Sequence, residues 1–170
     1  MEFKKQVLRK IEEVLRTEFD EVKLENDILL NFLAENIADH EEWKAIGQVL
    51  FMPYVATEEK EEILKVYLTV ARNVDTGKYP LFAPKLLELN AYTSFGQLGC
   101  TPEGEIYYQA CIPIVGESVE LAAKTFEFVT YEMFTFLDAF YPYILVLINE
   151  PDKLTLSRYM ELMLEPEDEE

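Results

Sequence analysis

The stretch 118-SVELAAKTFEFVTYEMFTFLDAFYPYILVLIN-149 decides the architecture. Across 118–141, Ala122, Phe126, Val129, Met133, Phe136 and Phe140 recur every three or four residues, which sets them on one face of an α-helix. A second line, Leu121, Phe128, Phe134, Leu137 and Tyr141, widens that face beyond a single stripe. A helix apolar over most of its girth has to be covered on more than one side, so the rest of the chain is expected to pack over it and a partner to cover what is left. Ser118 is placed as its N-cap, with Glu117 and Glu120 well sited for the helix dipole. Pro142 is expected to kink or restart the helix, and 143–149 either to continue as helix, the preferred reading, or to form a last strand.

Upstream, Thr101-Pro102-Glu103-Gly104 reads as a turn between strands 94–100 and 105–114. Ile106, Tyr108, Ala110, Ile112 and Ile114 share one face of the second strand. Cys100 and Cys111 flank the turn. With the hairpin paired around it, they would sit about 16 Å apart along the strands, too far for a disulfide. Two reduced thiols are expected.

Earlier in the chain, Phe3, Val7, Leu8, Ile11, Val14 and Leu15 form a helical stripe over 2–17, decorated by Lys4, Lys5, Arg9, Lys10 and Arg16. That basic face is read as solvated and pairing with acids elsewhere, rather than as a docking patch. Val22 and Leu24 alternate with polar residues before a turn at Glu25-Asn26-Asp27, and 28–34 is either the return strand or a short helix. Residues 36–43 read as a polar loop. Residues 45–56 and 63–74 form an antiparallel strand pair, with Pro53 at an edge or bulge and an acidic connection over 57–62. A short helix over 80–89 begins at Pro80, and Asn90 is expected to end it in a left-handed conformation. A last helix is expected over 154–164, then a disordered acidic tail over 165–170. Residues 1–164 are read as one domain.

Thirty-three acidic against 15 basic residues give a formal net charge of -18. Such a surface repels phosphate backbones and anionic membranes, so no nucleic-acid or membrane partner is expected. The first residues lack the apolar run of a signal peptide, and 141–148 is too short to cross a membrane, which points to the cytoplasm. His40, in Asp39-His40-Glu41-Glu42, is the only histidine, and neighbouring residues rarely converge on one ion. No metal, cofactor or catalytic residue is expected. Gly96 and Gly99 are not followed by the Lys-Ser/Thr of a phosphate-binding loop.

Helices before and after locally paired strands indicate an α+β domain: an antiparallel sheet flanked by helices, in the order helix, strands, helix, hairpin, long helix. Here the chain resembles a known family. Leu86-Leu87-Glu88-Leu89-Asn90, Phe95-Gly96-Gln97-Leu98, Glu103-Gly104-Glu105-Ile106-Tyr107-Tyr108, Ile112-Pro113-Ile114 and Asp138-Ala139-Phe140-Tyr141-Pro142 look like the pattern of YbjN-like proteins. The resemblance covers mainly 80–149. It implies the type III secretion chaperone-like fold and a non-enzymatic, dimeric protein that binds an extended client segment, with stress or regulatory roles in relatives outside secretion systems.

Two functions are carried forward. One is a chaperone- or adaptor-like homodimer using Phe128, Tyr131, Phe134 and Tyr141 as dimer or partner surface, such surfaces being rich in Tyr, Phe and Met. The other is a small-molecule sensor or enzyme with a pocket between sheet and long helix, lined by Tyr107, Gln109 and Cys111.

Overall fold

A computed structural model describes residues 2–52, 62–116 and 118–165. Among these, six strands form one antiparallel sheet flanked by four α-helices, the α+β order expected from the sequence. The expectations for Pro53, for most of the 57–62 connection, for Glu117 and for 166–170 fall outside the described residues.

Helix α1 (Glu2–Glu18) leads into strands β1 (Val22–Glu25) and β2 (Leu29–Ala34), which settles 28–34 as the return strand. Their loop carries Asn26 and Asp27 at φ 51° and 56°, a conformation that short Asx side chains tolerate. Strands β3 (Ala45–Phe51) and β4 (Glu62–Ala71) pair antiparallel, with Val49 opposite Val66. Helix α2 (Tyr79–Glu88) has Pro80 in its first turn, where a missing N–H leaves no helical bond unmade. Strands β5 (Gln97–Cys100) and β6 (Ile106–Ile114) form the expected hairpin, and β6 lies between β4 and β5. Gly104 N–H donates to the Thr101 carbonyl at 3.2 Å, closing the turn. Gly104 has φ 87°, and a Cβ there would stand 2.6 Å from the Val74 carbonyl oxygen.

Helix α3 (Val119–Asn149) runs through Pro142 as one element. Pro142 removes one helical hydrogen bond and crowds the preceding turn, at a cost of about 3 kcal/mol. Beyond it, Tyr143, Ile144 and Leu147 are buried, and each such side chain contributes about 1.5–3 kcal/mol. Burial therefore wins over the proline. Ser118 caps the helix as expected, its Oγ accepting the Leu121 N–H at 3.2 Å. By length and composition α3 could cross a membrane. In this fold it is the core helix, with Phe126, Met133, Leu137, Ile144 and Leu147 sealed from solvent.

Helix α4 (Leu156–Leu164) is capped by Thr155 and held on α3 by Tyr159, whose ring stacks on Tyr143 at 5.1 Å. Asn90 differs from expectation. It is not left-handed; the chain passes into a 3-10 turn, Leu89–Tyr92, and the Asn90 side chain turns to the sheet edge. There Leu98 N–H donates to Asn90 Oδ1 at 2.6 Å, and Asn90 Nδ2 donates to the Leu98 carbonyl at 3.2 Å. The side-chain amide supplies the backbone partner that edge strand β5 lacks on that side.

The helices lie on one face of the sheet. On β6, Ile106, Tyr108, Ala110, Ile112 and Ile114 are buried beneath them, while Tyr107 and Gln109 are half-buried and Cys111 and Pro113 exposed. Both cysteines are free, with Cys100 opposite Ile106 in the hairpin register.

Candidate functional site

The α1 helix ends at a three-ring cluster. Phe19 stacks on Phe32 of β2 with centroids 5.2 Å apart, and Phe134 of α3 tilts against Phe19 at 5.5 Å. Phe32 has room because position 47, opposite it on β3, is glycine; a Cβ there would lie 2.1 Å from the ring. Outside the rings, the chain leaves β2 through Asn36, Ala38 and Asp39, all at positive φ. Ala38 N–H donates to Asp138 Oδ1 of α3 at 2.8 Å, which fixes this loop against the long helix. His40 stacks on Trp43 at 4.3 Å and Trp43 packs on Tyr141 at 5.2 Å, so the polar-looking 36–43 segment folds around one aromatic column.

Between the end of α1, the end of β2 and α3 lies a cleft of about 430 Å³. Phe19, Phe126 and Phe134 provide apolar wall, and Tyr131 stands at its rim, 69% exposed. Glu18, Glu35, Glu127 and Asp138 also line it, and among the described residues no Lys or Arg does. Glu35 is ion-paired with Lys44. On α3, Glu127, Tyr131, Phe134 and Asp138 follow steps of four, three and four, a single helical ridge with an acid at each end of an aromatic pair.

Of the surface residues expected from the sequence, the structure gathers Tyr131 and Phe134 in this cleft. Phe128 lies on an adjoining face, 55% exposed and edge-on to Phe95 at 5.5 Å. Tyr141 does not belong with them. It is 5% exposed, its hydroxyl between the carbonyls of Lys44 (3.3 Å) and Val70 (3.2 Å), because its helical line turns under the sheet. Burial raises its pKa above the ordinary tyrosine value.

The expected pocket is also corrected. Tyr107, Gln109 and Cys111 point away from α3, since strand side chains alternate and Ile106, Tyr108 and Ala110 take the inward positions. On that open face Tyr107 stacks on Tyr67 at 5.1 Å. Tyr67 donates to Glu105 Oε1 at 2.6 Å and Thr69 to the same oxygen at 3.2 Å. Burial first, then Glu105, hold the Tyr67 phenol well above its usual pKa.

The basic face of α1 is consumed internally, as read from the sequence. Lys4 meets Glu62 at 2.6 Å, Arg9 and Lys5 meet Asp27, Lys10 reaches Glu13 and Glu120, and Arg16 meets Glu12 at 2.8 Å. Arg9, then Lys5, hold the Asp27 carboxyl below its ordinary range. Among the described residues no three His, Cys, Asp or Glu side chains gather to hold a metal. His40 Nδ1 accepts the Glu42 N–H at 3.4 Å.

Sequence reasoning missed Phe19, Glu18 and the left-handed loop as parts of one site. The available signal was the spaced Glu127–Asp138 ridge. Compared with known proteins, the chain matches no family profile, no curated protein and no solved structure.

Proposed function

We propose that this is a non-enzymatic, cytoplasmic polypeptide-binding protein, chaperone- or adaptor-like, acting as a homodimer. The observation that carries the reading is the cleft: a preformed, aromatic-walled groove between two helices, of the kind that receives side chains of a bound segment. The dimer contact is assigned to the adjoining face of α3, where Leu121 and Phe128 are exposed two helical turns apart. The resemblance of 80–149 to YbjN-like proteins, the strongly acidic charge and the free cysteines support the reading.

A second reading, a small-molecule sensor or enzyme, is favoured by one fact: about 430 Å³ falls within the range of small-ligand sites. Capture of tagged protein from a native lysate, with its mass from light scattering and native mass spectrometry, separates the two. A dimer carrying a stoichiometric polypeptide, released by Val14→Trp at the half-buried position where α1 lines the cleft, supports the first. A protein carrying a small molecule, displaced by the same substitution, replaces it with the second.

A further inference from the structure

We propose that the segment held in the cleft is basic: apolar side chains seat against Phe19 and Phe134, and flanking Lys or Arg residues meet Glu18 and Glu127. The proposal rests on the polypeptide-binding reading and names the partner's chemistry.

The argument is one of charge complementarity. Four carboxylates line the cleft, and two are already engaged, Glu35 by Lys44 and Asp138 by the Ala38 N–H. Among the described residues, neither Glu18 nor Glu127 has a cationic partner. The nearest rich source of cations, the basic face of α1, is tied to Glu62, Asp27, Glu120 and its own acids. The rim is therefore left negative beside an aromatic wall that water solvates poorly.

An occupant with acidic or phosphate groups would meet like charge at both edges. A basic, apolar segment satisfies rim and wall together. The net charge also steers it inward, which raises its association rate at low salt. The Glu127–Asp138 ridge spans about 16 Å of helix axis, room for about five residues of extended peptide.

The test uses the full chain and three fluorescent peptides of one length. All share the same central Leu and Phe residues, flanked by Lys, by Gln or by Glu. Anisotropy titrations are expected to rank Lys tightest and Glu weakest. Glu18→Gln and Glu127→Gln should each weaken the Lys peptide about two- to fivefold, the range for exposed ion pairs, and leave the Gln peptide unchanged. High salt should bring the Lys peptide toward the Gln peptide. Both positions are exposed, so the variants are expected to keep the wild-type melting curve. Equal affinity for all three peptides overturns the charge selection and leaves polypeptide binding standing. No binding of any peptide at millimolar concentration overturns both. A change in the free protein's mass by light scattering on Glu18→Gln/Glu127→Gln makes the cleft a contact between copies and overturns the proposal.

Discussion

Asp138 on the long helix accepts the backbone N–H of Ala38, one hundred residues away in sequence, at 2.8 Å. Ala38 has φ 52°, a left-handed conformation that disfavours a Cβ-bearing residue by about 1–2 kcal/mol. The carboxylate thus offsets backbone strain at the edge of the cleft. Asp138→Ala is expected to lower stability by about 1–2 kcal/mol, as a charge-assisted bond to backbone is lost at an exposed position. Ala38→Gly relieves the strain and should recover part of that loss in the Asp138→Ala background. Denaturant midpoints of the two single variants and the double variant check this. An Ala38→Gly variant less stable than wild type would show that the left-handed backbone is not strained.

Asn90 and Leu98 make the second prediction. The amide completes both backbone hydrogen bonds of an edge-strand residue. Asn90→Ala leaves the Leu98 N–H and carbonyl to water or to nothing, and about 1–2 kcal/mol of stability should go with them. Asn90→Asp keeps the acceptor, loses the donor and sets a charge against the Leu98 carbonyl, so it should do little better. Hydrogen exchange is the sharper measurement: the Leu98 amide should lose protection in Asn90→Ala and keep it in Asn90→Asp, whose carboxylate still accepts the N–H, while β6 amides keep theirs in both.

That residue also marks where sequence reading reaches its limit. The strand period of β6, the Thr101–Gly104 turn and the Ser118 cap depend on residues within a few positions of one another, and each was legible. Asn90 was read by its local tolerance of a left-handed stop, whereas its role is set by a strand that folds back eight residues later. The local cost of Pro142 points to a kink or a restart of the helix, and the burial of Tyr143, Ile144 and Leu147 outweighs that cost. The apolar girth of α3 announced that the helix was covered on several sides, but not which side. Tyr141 went inward and Phe128 stayed out, although both lie on the same widened face. The cleft was least legible because its walls come from 14–19, 34–37 and 126–138, brought together only by the tertiary fold.

Phe128 and Phe134 should now separate assembly from folding. Phe134 is half-buried against Phe19 and Phe32, so Phe134→Asp sets a carboxylate among three rings and should destabilise by about 2–4 kcal/mol. Phe128 loses only an edge contact to Phe95, worth about 0.5–1.5 kcal/mol, and Phe128→Asp should remain folded. Under the proposed dimer contact, Phe128→Asp is monomeric by light scattering with near-native circular dichroism. A dimer of unchanged mass would remove that face of α3 from the interface.

The tyrosines set the alkaline limit of stability. Burial raises the pKa of Tyr108 and of Tyr141 above the ordinary phenol value, because the phenolate would stand in the core. A group whose folded pKa exceeds its unfolded pKa stabilises the fold fully below the unfolded value, and that contribution is lost as pH rises toward the folded value. Stability should therefore hold up to about pH 10, the unperturbed phenol pKa, and fall above it. Ultraviolet titration should show the buried phenols of Tyr108 and Tyr141 ionising in a cooperative step that coincides with unfolding. Tyr141→Phe tests the assignment. At neutral pH it should be less stable by about 0.5–1.5 kcal/mol, since the bond to the Lys44 and Val70 carbonyls is lost. Above pH 10 its stability should fall less steeply than that of the wild type, because one of the buried phenol protons whose loss opposes the fold is no longer there to lose.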